Sequence, residues 1–154
     1  MKLSVGADER LHVVDTVLKW LEEQGHQVQW YGPEQDETHP WPQVARQVAE
    51  DVAAGRAEEG ILYCWTGTGV SMAANKVPGV RAALCADAET ARGARLWNNA
   101  NVLCMSLRLT SETVAKEILE SWFSASYEPN PTDDACLAMI DELDRKRSQE
   151  IQPG

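Results

Sequence analysis

Five short apolar runs, each followed by a stretch of helical composition, constrain this chain more than any other feature. Lys2 to Val5, Val28 to Tyr31, Gly60 to Tyr63, Val80 to Cys85 and Val102 to Met105 are the candidate strands. Between them Leu11, Val14, Leu18 and Leu21 recur at helical spacing until Gly25, and Val44, Val48 and Val52 do so until Gly55. Val70 to Lys76, Ala88 to Leu96 and Thr110 to Phe123 complete the alternation. Strands of nearly continuous apolar character, separated by helices, form a parallel sheet covered on both faces, because right-handed crossovers place helices on either side. The expected fold is therefore α/β: a three-layer, doubly wound, five-stranded parallel sheet of Rossmann-like type. A final amphipathic stretch, Asp133 to Ile151, carries Leu137, Ile140 and Leu143 on one stripe and is followed by no strand, so it is expected to pack on a neighbour. Residues 1–128 are thus read as the α/β domain and 129–154 as a helical arm.

Composition narrows the partners. The chain has 154 residues, with 24 Asp and Glu against 14 Lys and Arg, a formal charge of −10. That balance argues against a nucleic-acid footprint or an anionic membrane surface. No apolar run reaches the roughly 18 residues of a membrane helix, and the amino end lacks a signal-peptide layout, so a cytoplasmic location is expected. Cys64, Cys85, Cys104 and Cys136 are too widely spaced for paired zinc ligands and read as thiols. Neither a metal nor a cofactor is expected.

In an open parallel sheet, ligands bind beyond the carboxyl ends of the strands. Gly6 to Arg10, Cys64 to Ser71 and Cys85 to Asp87 are the loops that meet there. The middle one is the richest in chemistry: Gly67 and Gly69 let successive N–H groups converge on one point, and a helix amino end follows. It matches neither a dinucleotide-binding glycine pattern nor a P-loop. Cys64, just before it, stands where a thiolate could move a proton; the plainer reading is a buried sulfur that ends a core strand.

The run from Gly60 to Cys85, with Cys64-Trp65-Thr66-Gly67-Thr68-Gly69-Val70-Ser71 at its centre, resembles the central motif of the ribose-5-phosphate isomerase B and galactose-6-phosphate isomerase family. Gly6-Ala7-Asp8, Trp41-Pro42, Asn98 to Leu103 and Arg108 add to the likeness, which spans about residues 2 to 128. The resemblance implies an aldose–ketose isomerase of a small sugar or sugar phosphate, working through an enediolate in a site shared by two subunits of a homodimer, with a dimer of dimers as the larger form. It assigns the base to Cys64 and a positioning or proton-relay role to Thr66. Substrate contacts fall to Asp8, Glu9, Trp65, Gly67, Thr68, Gly69, Val70, Ser71, Trp97 and Asn98, and the arm is implied to embrace the partner.

The chain departs from that pattern at chosen places. Glu9 stands where the family carries a phosphate-binding His, Trp97 where it carries a ring-opening His, and Pro131 and Ala135 where it carries arginines. Trp65 replaces a glycine. These changes keep a second reading open: a ligand-binding module on the same fold, or an isomerase whose substrate is open-chain or unphosphorylated. His12, His26 and His39 match no catalytic position and read as surface or helix-lining groups. Trp20, Trp30 and Trp122 read as fillers of core or groove, whereas Trp41, Trp65 and Trp97 are expected around one cleft as an aromatic box. Arg92, Arg95 and the Arg145-Lys146-Arg147 cluster read as solvated helix faces.

Overall fold

The computed structural model describes residues 1–150. Strands β1 (Lys2–Ala7), β2 (Gln27–Tyr31), β3 (Glu59–Cys64), β4 (Ala82–Leu84) and β5 (Val102–Ser106) form one sheet in the order β2-β1-β3-β5-β4. Every neighbouring pair is parallel. Helices α1 (His12–Glu23), α4 (Ala88–Asn98) and α5 (Glu112–Ser124) contribute to the apolar cluster on one face, and α2 (Trp41–Ala53) and α3 (Thr68–Ala74) to that on the other. The alternation of strand and helix thus yields the expected three layers.

Burial follows the periodicities. Val14 and Leu21 of the first predicted stripe are buried, with Val13 and Val17 completing the face, whereas Leu11 precedes α1 and is exposed and Leu18 is half-buried. Val44 and Val48 of α2 are buried and Val52 is half-buried. All six residues of the central β3 are buried, as a strand covered on both faces requires. Trp122 is fully buried in the core, with Trp20 and Trp30 packed against its edge.

The fourth strand is shorter than the run Val80 to Cys85 predicts, because the Arg81 N–H donates to the Asn101 side chain instead of joining the ladder. The last helix, α6 (Pro131–Glu150), starts two residues early: Asn130 caps it, its Oδ1 accepting from the Asp133 N–H at 2.9 Å. Ile151, the expected end of this stretch, lies outside the described residues. None of the residues of α6 is buried, and Met139, Ile140 and Leu143 are exposed. Its polar side is less free than the sequence suggests: Asp144 accepts from the Gly79 N–H at 2.8 Å and Arg147 donates to the Asn75 carbonyl. Among the described residues no helix is long and apolar enough to cross a membrane.

Arg95 is likewise not a solvated side chain. It pairs with Glu59 at 2.8 Å, and the Trp122 indole N–H donates to the same carboxylate at 2.6 Å. Burial pushes the Glu59 carboxyl above its ordinary range even though Arg95 and Trp122 oppose the shift. This cluster ties the foot of β3 to α4 and α5. A second cluster joins Ser4, Tyr31 and Arg56 to the nearly buried Asp51, fastening α2 to β1 and β2.

Candidate active site

β1 ends at Ala7 and delivers Asp8 and Glu9 to the carboxyl edge of the sheet. The loop before α2 folds across them: Glu9 and Thr38 form an antiparallel bridge, and the His39 N–H donates to the Asp8 carbonyl at 2.9 Å. Burial and the neighbouring Glu9 charge push the Asp8 carboxyl above its ordinary value. Its Oδ1 is buried without a hydrogen-bond partner.

Cys64 closes β3 opposite Ser106 of β5. Its carbonyl accepts from both the Gly67 and Leu107 N–H groups, at 3.2 and 2.9 Å, so the strand end is held from two sides. Its side chain joins Leu62, Val70 and Cys104 in the cluster under α2 and α3 and is 4 % exposed. The next carbonyl, of Trp65, accepts from the Ser106 hydroxyl at 2.9 Å and from the Arg108 N–H at 3.1 Å. These bonds pin the backbone while the Trp65 side chain extends outward, 55 % exposed.

Gly67 makes the turn possible. Its φ of +77° is left-handed, and a Cβ there would stand 2.9 Å from the Met105 carbonyl carbon. Thr68, Gly69 and Val70 then open α3, so their N–H groups have no acceptor within their own helix. The Thr66 and Thr68 hydroxyls are 2.7 Å apart. Trp41, at the start of α2, lies against Gly69 so closely that a Cβ would meet two indole carbons at 3.0 Å. Ser71 is half-buried and Val70 fully buried within the same short helix. The structure thus brings Asp8, Glu9, Cys64, Trp65, Thr66 and the 67–71 turn to one edge of the sheet.

Trp97 and Asn98 lie elsewhere. α4 leaves the carboxyl end of β4 and returns to the amino end of β5, so its last two residues sit at the opposite edge, about 16 Å away along a five-residue strand. There they line a cavity of about 360 Å³ with Arg81, Cys136, Leu137 and Ile140. The three exposed indoles therefore do not gather within one chain: Trp41 and Trp65 flank the turn, and Trp97 does not join them. Crossover topology, which the spacing of residues along the chain does not display, is the reason.

A model of the ribose/galactose isomerase family matches residues 3–140. The chain belongs to the ribose/galactose isomerase family. Within that family it is 35 % identical to galactose-6-phosphate isomerase subunit LacB of Clostridium acetobutylicum over 147 residues, covering 93 % of this chain and 83 % of that protein. It is 37 % identical to ribose-5-phosphate isomerase B of Escherichia coli over 128 residues, 82 % of this chain and 86 % of that one. Ribose-5-phosphate isomerase B of Clostridium thermocellum has the same fold, with a TM-score of 0.91 and 32 % identity over 96 % of this chain and 99 % of that structure.

Sequence reasoning placed Trp41 at the cleft but not its contact with Gly69, and it missed the pinning of the Trp65 backbone by Ser106. Both contacts join segments far apart in sequence, and no local spacing encodes them.

Proposed function

We propose that this isomerase-family chain interconverts an aldose and a ketose of a small sugar or sugar phosphate, with Cys64 as the base. The observation that carries the reading is the position of Cys64 at the end of β3, three residues before Gly67 and the amino end of α3 at the same sheet edge. For an open-chain aldose, the sulfur takes the proton from the carbon next to the carbonyl. The C–H electron pair becomes the carbon–carbon double bond, and the carbonyl pair moves onto oxygen. The N–H groups of Thr68, Gly69 and Val70 stabilise that oxyanion, whereas the Gly67 N–H, expected with them, is held by the Cys64 carbonyl. Thr66 passes a proton between the two oxygens, and the sulfur returns its proton to the neighbouring carbon, giving the ketose.

Asp8, beside Glu9 at the carboxyl end of β1, orders the sugar hydroxyls. Glu9, Trp65 and Ser71 border the substrate. Trp97 and Asn98 act from a second copy of the chain, since one chain holds them at the far edge of its own sheet. The working form is accordingly a homodimer in the cytoplasm, with α6 as an arm that covers the partner through Met139, Ile140 and Leu143.

The test is incubation of the purified protein with C4 to C6 aldoses, ketoses and their phosphates, followed by nuclear magnetic resonance. Interconversion of at least one pair, abolished by Cys64→Ser, is expected. Turnover that survives Cys64→Ser removes the cysteine mechanism, and conversion of no pair removes the activity. A binding module on this fold would instead show ligand-dependent thermal shifts without turnover.

A further inference from the structure

Two hydroxyls beside Cys64 meet in a way that no backbone requirement explains. Thr66 precedes Gly67, Thr68 follows it as the first residue of α3, and their Oγ1 atoms are 2.7 Å apart. Side chains at this separation along the chain point to different sides of a helix, and in a strand they stand too far apart for a hydroxyl bond. The left-handed Gly67, at φ +77°, folds the chain back and brings the pair together. Threonines at a helix start ordinarily bond backbone N–H groups. Neither does so here: α3 has no side-chain cap, and the two hydroxyls bond only each other among the described residues.

The pair is exposed at the edge where β3 delivers Cys64. Each hydroxyl carries one proton and two lone pairs, so their mutual bond leaves one O–H and three lone pairs for a guest. Either oxygen can be the donor, so the bond can reverse. Its length also matches the spacing of the two oxygens on adjacent carbons of a cis-enediol, so the two pairs of oxygens can stand face to face. The backbone around the pair is fixed, because the Trp65 carbonyl accepts from Ser106 and Arg108 and the Cys64 carbonyl accepts from the Gly67 N–H at 3.2 Å.

We infer, resting on the isomerase reading above, that Thr68 supplies a second catalytic hydroxyl and that Thr66 and Thr68 together carry the proton between the two oxygens of the enediolate. One substrate oxygen gives its proton to the Thr66 Oγ1, Thr66 gives its own to the Thr68 Oγ1, and Thr68 gives its own to the other substrate oxygen. Three O–H bonds break and three form, and the negative charge passes from one substrate oxygen to the other. Both threonines end neutral with the bond between them pointing the other way, which is the arrangement the reverse reaction needs.

The test follows the full-length protein in heavy water with the C4 to C6 panel above, D-erythrose 4-phosphate and D-ribose 5-phosphate included. Nuclear magnetic resonance reads ketose formation and deuterium wash-in at the carbon next to the carbonyl of the remaining aldose. Thr68→Val keeps the shape and removes the hydroxyl. For a converted substrate it is expected to lower kcat about tenfold or more with KM within about twofold, and to raise the ratio of wash-in to ketose about tenfold, because the enediolate forms and returns. Thr68→Ala, with no β-branch in the first turn of α3, is expected to do the same, and Thr68→Ser to restore the parent values. Wash-in and ketose formation that fall in equal proportion in the valine and alanine variants, or a kcat unchanged in either, overturn the inference and leave the isomerase reading standing. A parent protein that converts no member of the panel ends the isomerase reading, and the inference with it.

Discussion

The Trp41 indole lies directly on Gly69, leaving no room for a β-carbon between the start of α2 and the glycine turn. Gly69→Ala therefore sets two effects against each other. Alanine favours the helix by up to about 1 kcal/mol, while the new methyl must push the indole aside. Because Trp41 is partly exposed, it can yield. Thermal stability is expected to stay within a few degrees of the parent while KM rises, measured by calorimetry and steady-state kinetics. A large loss of stability with unchanged KM would show that the indole serves packing alone.

Gly67 leaves no such escape. Its left-handed backbone and the Met105 backbone atoms at 2.9 and 3.0 Å make Gly67→Ala costly, about 3 kcal/mol in urea unfolding. A cost below about 1 kcal/mol would mean that the turn can rearrange.

The Glu59, Arg95 and Trp122 cluster gives stability a pH dependence. The Glu59 carboxyl is raised above its ordinary 4.5, so its share of stability is fully present below that value and is lost as pH rises through the folded-state pKa. Arg95→Met leaves an ionised carboxylate with only Trp122 for a partner. A loss of about 3 kcal/mol is expected at pH 7, narrowing as the solution is acidified toward pH 4.5. Unfolding curves at the two values check this, and a loss independent of pH would contradict it.

Separation of Cys64 from Asn98 predicts complementation. Cys64→Ser and Asn98→Ala proteins, each impaired alone, are expected to regain about a quarter of the native activity after unfolding and refolding together, since half the dimers are mixed and each mixed dimer holds one intact site. Activity that stays at the level of the separate variants would place both residues in the same subunit's site. Sedimentation of the native protein should give twice the 17.1 kDa chain mass.

The sequence by itself determined the layers, the parallel sheet, the helices and the family motif, because these rest on local period, composition and residue order. Val14 and Leu21 fall on one helical face wherever the helix packs, and Gly67 needs its turn whatever lies beyond it. Tertiary structure alone decided which side chains meet. Arg95 looks solvated along the chain, yet Glu59, 36 residues earlier, lies under it. Trp97 reads as a neighbour of Trp65, yet a helix that runs back against the strands carries it to the other edge of the sheet. Crossover direction and strand order set such distances, and both arise only when the whole sheet assembles around its core.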